Sequence, residues 1–83
     1  MRSRETQVEV IAHFAREQRE PIPLRVKIIE QGESVVVKVA YVRNLKYVTH
    51  ECIEYECYHE ARGQMRAFKL MYWVRDMEWH IVR

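Results

Sequence analysis

"HECIEYECYH" (residues 50–59) is nearly a palindrome, in which His50, Cys52, Cys57 and His59 bracket a glutamate-rich centre. Two cysteines and two histidines this close are the raw material of a tetrahedral zinc site. The same ten residues also set Ile53, Tyr55 and Cys57 on one parity against Glu54 and Glu56 on the other, the pattern of a half-buried strand. The two readings exclude each other. In an extended strand, at ~3.3 Å per residue, Cys52 and Cys57 stand about 16 Å apart and on opposite faces, too far for one metal ion or a disulfide. A hairpin turning at Glu54-Tyr55 gathers all four ligands on one face, yet it lacks the Gly, Asn or Asp that such a turn prefers. Nor is Cys-x4-Cys with flanking histidines the two separated ligand pairs of a structural zinc site. The strand reading is preferred, so no metal and no cofactor are expected; His50, Cys52, Cys57 and His59 remain the disfavoured metal alternative.

Working outward, each neighbouring segment shows the same alternation. Leu24, Val26 and Ile28 share a face opposite Arg25 and Lys27. Val35, Val37, Val39 and Tyr41 form one apolar row, with Lys38 on the other. Phe68, Leu70, Tyr72 and Val74 read as inward with Lys69 outside, and Trp79 and Ile81 as inward with His80 outside.

Residues opposed in a hairpin share a face, which tests each turn. A two-residue turn at Gln31-Gly32 pairs Ile28 with Val35, Val26 with Val37 and Leu24 with Val39. A turn at Arg62-Gly63 pairs Cys57 with Phe68, Tyr55 with Leu70 and Ile53 with Tyr72, and sets Glu56 opposite Lys69. A turn at Arg75-Asp76 or Asp76-Met77 brings Trp79 and Ile81 onto the same core. A corner at Asn44-Leu45-Lys46 needs an odd loop or a bulge, with Asn44 the candidate for a left-handed residue.

The first segment, "TQVEVIAHFA" (residues 6–15), alternates at Val8, Val10, Ala12 and Phe14, as a strand does. It also lines Val8, Ile11, Ala12 and Ala15 along a helical face behind a Thr6…Glu9 capping pattern. The strand is favoured, because a sixth strand helps close an open meander whose raw edges invite aggregation. The expectation is one small all-β domain over residues 1–83, an antiparallel meander of five to six strands curling into a barrel or roll, with residues 1–6 a disordered tail.

The apolar start Val8 to Phe14, Pro23-Leu24-x-Val26, Tyr55-x-Cys57, Phe68-Lys69-Leu70-x-Tyr72 and Trp79-x-Ile81 together resemble a family of short uncharacterised bacterial all-β proteins. The likeness spans most of the chain and rests on core positions. "REQRE" (residues 16–20) stands where a tighter Gly-containing turn is expected. The resemblance implies a compact β-fold and a first strand, and brings no activity or site residues.

Composition bounds the function. A chain of 83 residues buries about 60–65% of its unfolded surface, enough for one core. No apolar run approaches the roughly 18 residues of a membrane span, and the charged N-terminus is followed by no secretory apolar stretch. Two cysteines without such a signal imply free thiols in a reducing cytoplasm. Asp76 is the only aspartate, which argues against calcium or magnesium chemistry, and the two glycines form no phosphate loop. His50, Cys52 and Glu54 share a face, but a nucleophilic site also needs an oxyanion hole and a pocket. The chain reads as non-enzymatic.

Two surface readings remain. Ile29, Val36, Val42, Met71, Trp73 and Val82 all fall on outward parities. Clustered, they exceed what a soluble monomer normally exposes, which favours a homodimer or a protein partner meeting Ile29, Val36, Tyr58, Met71 and Trp73. The alternative is single-stranded nucleic acid or another anion on Arg25, Lys27, Lys38, Arg43 and Lys46. Arg25 falls opposite Lys38, a repulsion that an acidic partner, or Glu54 or Glu56 nearby, relieves. The formal net charge of +2 is too small to indicate nucleic acid by itself.

Overall fold

Two hairpins anchor the chain, each turning on residues in the left-handed region: Gln31 (φ 50°) with Gly32 (φ 80°), and Arg62 (φ 53°) with Gly63 (φ 77°). Positive φ at both central positions is the type I′ geometry whose twist matches that of the flanking strands. The computed structural model describes residues 5–82 and has seven strands: β1 (Glu5–His13), β2 (Ile22–Glu30), β3 (Glu33–Lys38), β4 (Tyr41–Thr49), β5 (Cys52–Ala61), β6 (Gln64–Trp73) and β7 (Glu78–Val82). They form one antiparallel sheet in the order β3-β2-β1-β7-β6-β5-β4, a meander curled into a half-barrel. Among the described residues, no helix is long and apolar enough to cross a membrane.

The registers follow from the turns. Ile28 meets Val35 and Val26 meets Val37, and the Val39 amide donates to the Leu24 carbonyl at 2.9 Å. Cys57 meets Phe68, Tyr55 meets Leu70, Ile53 meets Tyr72 and Glu56 meets Lys69. Trp79 and Ile81 meet Tyr72 and Leu70. The first segment is a strand and serves as the seam: its first half pairs with β7, its second half with β2, with a bulge at Ile11/Ala12.

The core is Val26, Ile28, Val39, Ile53, Tyr55, Cys57, Leu70, Tyr72, Trp79 and Ile81. Trp79 packs between Tyr72 (ring centroids 4.6 Å) and Tyr55 (5.4 Å). The long β1–β2 connection is held by prolines rather than a glycine turn. Pro21 and Pro23 are fully buried, and the Tyr55 hydroxyl donates to the Pro21 carbonyl, which satisfies a polar group otherwise costly to bury.

Several expectations are corrected. The apolar row from Val35 to Tyr41 is not one strand: it breaks at Val39-Ala40, where β3 passes into β4, and this adds the seventh strand. Asn44 makes no corner and is not left-handed. It lies inside β4 opposite Glu56, just after a bulge between Val42 and Asn44, and the turn comes later, at His50-Glu51. The break inverts parity, so Tyr41 faces outward, stacked on Tyr58 at 5.0 Å, and Val42 faces inward against the core; the bulge then returns the odd-numbered Leu45 to the inward side. Leu24, Val35 and Val74 are more exposed than their rows imply. Of the tail expected at residues 1–6, Glu5 and Thr6 belong to β1; residues 1–4 lie outside the described residues.

Candidate functional site

On the outer face of β1–β2–β3, the register lays basic and apolar side chains in one patch. Arg25 lies between Lys38 on β3 and Ile11 on β1; Lys27 lies between Val36 on β3 and Glu9 on β1. The inward residues Val10, Val26 and Val37 pack beneath them. Ile11, Ile29 and Val36 are each at least 60% exposed, a high value for branched aliphatic side chains on neighbouring strands. Between β1 and β2 the face has a shallow concavity of about 180 Å³, lined by Glu9, Ile11, Arg25, Lys27 and Val36.

Lys27 has Glu9 opposite it on β1, whereas Arg25 and Lys38 have no acidic cross-strand neighbour in the register. Among the described residues, no carboxylate lies within 4.0 Å of Arg25, Lys27 or Lys38. Glu54, expected as a neutraliser of Lys38, is instead held between Lys46 (3.6 Å) and Lys69 (3.7 Å) on the other part of the sheet. The like-charge pair Arg25–Lys38 therefore stands as the turn dictates.

The remaining basic candidates sit on β4 and are engaged there. Lys46 takes the ion pair with Glu54, while Arg43 donates to the Tyr58 hydroxyl at 3.2 Å. That hydrogen bond, with the charge of Glu56 beyond it, raises the guanidinium pKa further. Tyr58 in turn donates to Glu56 at 3.3 Å. Of the apolar candidates, Ile29 and Val36 belong to the exposed patch. Tyr58, Met71 and Trp73 are half-buried on β5 and β6. Trp73 donates to Glu5 at 3.4 Å and meets His80 edge-on, with His80 Nδ1 3.5 Å from Glu5. This group ties β1, β6 and β7 together. Ile11, which the sequence placed only on the alternative helical face, completes the patch. Its signal was its odd position between Val10 and Ala12, masked while the segment also read as a helix.

The palindrome is dispersed. His50 is in a turn with its ring 92% exposed, 3.8 Å from Glu51. Cys52 begins β5 and, although on the outward parity, is fully buried opposite Trp73. Cys57 is in the core, and His59 meets Phe68 edge-on at 5.4 Å. Among the described residues, no three metal-ligating side chains converge. Burial pushes the Cys57 thiol up to about 12, the opposite of what a nucleophile or metal ligand needs. His50 and Cys52, the conceivable thiolate–imidazole pair, are separated by the same turn.

Comparison of the chain with protein-family models, with curated proteins and with solved structures found no match.

Proposed function

We propose that this protein is a non-enzymatic cytoplasmic docking module that receives a protein partner on the outer face of β1–β2–β3. One observation carries the reading. Ile11, Ile29 and Val36 stand exposed among three cations, Arg25, Lys27 and Lys38, that have no ion-pair partner among the described residues. Aliphatic and cationic side chains interleave across this face, and the cations favour an acidic partner over a second copy meeting the same face, where like charges would oppose.

The elution size of the native chain in extracts of its source cell tests this. The reading expects a complex larger than the free chain, reduced to monomer size by Ile29→Asp and by Lys27→Glu. Elution unchanged by both variants contradicts it.

Nucleic acid is the second reading, favoured by the Tyr41–Tyr58 stack beside Arg43. It is weaker because Arg43 and Lys46 are already engaged. A gel shift with single-stranded RNA that disappears in Arg25→Glu with Lys27→Glu, and weakens steeply with salt, would move the conclusion to this class.

A further inference from the structure

The exposed patch ends at an unpaired strand edge, and the hydrogen-bond parity of that edge is fixed. Glu30 and Glu33 close the two-residue turn and so form a hydrogen-bonded pair; the Val39 amide bonds the Leu24 carbonyl. Odd-numbered residues of β3 therefore bond β2, and Ser34, Val36 and Lys38 aim their amides and carbonyls at the open side. Ala40, next in that row, already uses that side: its amide donates to the Tyr58 carbonyl at 2.7 Å. From this point β3 and β5 diverge around a groove of about 750 Å³ walled by Val36, Lys38 and Ala40 on one side and His59, Glu60 and Met65 on the other.

The two outer edges of the sheet differ. The β4 edge carries bulges at Val42/Asn44 and Tyr47/Thr49, a device that turns an edge away from further pairing. β3 runs from Glu33 to Lys38 in unbroken register, with three successive valines and no proline.

We infer that β3 accepts an extended segment of an acidic partner as an added strand, a carboxylate lying beside Lys38 and an aliphatic side chain beside Val36. The inference rests on the docking-face reading and specifies its mode. Main-chain hydrogen bonds supply affinity and alternate side chains supply selection. A residue opposite Lys38 on the new strand is its direct cross-strand neighbour, so a carboxylate there compensates the Arg25–Lys38 repulsion. In antiparallel order the segment reads acidic, any, aliphatic, any, polar. β3 of a second copy cannot serve. Opposed residues in an antiparallel pair share a face, and Glu33, its one acid, lies on the face opposite to Lys38.

The test uses the full chain and a labelled, end-capped peptide of order glutamate-valine-valine-valine-threonine with neutral flanks, read by fluorescence anisotropy. The expected result is binding roughly tenfold tighter than that of the same peptide with lysine for glutamate. Lys38→Glu reverses the preference. Val36→Pro removes an edge-facing amide where proline is tolerated and costs about tenfold or more, while Val36→Thr, which keeps the amide, stays within about threefold of wild type. Equal affinity for the two peptides, Val36→Pro binding like wild type, or no binding up to about 1 mM overturns strand addition. Loss in Ile29→Asp with Val36→Pro unaffected overturns it while leaving the docking face standing. A dimer of the unliganded chain that dissociates in Val36→Pro assigns the edge to a second copy and overturns the choice of occupant.

Discussion

Arg25 and Lys38 stand directly opposite each other on β2 and β3, and no acid among the described residues pairs with either. Like charges so placed oppose sheet formation by a few tenths of a kcal/mol. Lys38→Glu is therefore expected to raise thermal stability while weakening capture of the acidic peptide. The gain should shrink with added salt. Calorimetry of both proteins at low and high ionic strength checks this, and a destabilised Lys38→Glu would show that Lys38 has a favourable partner.

The hairpins predict opposite effects at adjacent positions. At Gly32, a Cβ meets nothing within 4 Å, so Gly32→Ala pays only for the left-handed backbone, about 1–2 kcal/mol. Gln31 already holds φ 50°, a conformation that asparagine adopts more readily. Gln31→Asn should stabilise by a few tenths of a kcal/mol. Urea midpoints at constant slope test both.

The buried thiol sets an alkaline limit. Burial raises Cys57 from an ordinary 9.0 to about 12, so the folded chain keeps a proton that the unfolded chain loses. The stability present below about pH 9 is lost as pH rises through the folded pKa, by at most ~1.4 kcal/mol per unit. Burial pushes Tyr55 and Tyr72 up as well, which steepens the decline above about pH 10. Chemical denaturation across that range should show the loss, less steep in Cys57→Ala. An unchanged slope in that variant would remove Cys57 as the cause.

The dispersal of the palindrome predicts no zinc. Native mass spectrometry of untagged protein purified without chelator should show the apo mass. A zinc-sized increment that vanishes in Cys52→Ser and in Cys57→Ser would require β5 to fold back on itself, breaking its ten-pair register with β6.

Where a turn carried its own chemistry, the fold was legible: Gly32 and Gly63 set two registers, and parity did the rest. The Arg25–Lys38 pair followed from the same arithmetic. Val39-Ala40 was not legible, because the chain bends there within an apolar run that has neither glycine nor proline. The bulge beside Asn44 shifts parity through β4 without changing composition. Tyr41 and Val42 lie between the break and the bulge and were assigned to the wrong faces, and the groove beside β3 had no trace in the sequence. Ile11 was missed for a different reason, a segment whose pattern fits two periods.

The docking face is tested most directly by a photo-crosslinking amino acid placed at position 29 and, separately, at position 69 on β6, away from β1–β2–β3, in the source cell. The account predicts a discrete, protease-sensitive adduct from position 29 that is lost when Arg25→Glu and Lys27→Glu are added, and none from position 69. No adduct from 29, the same adduct from both positions, or a nuclease-sensitive adduct would contradict it.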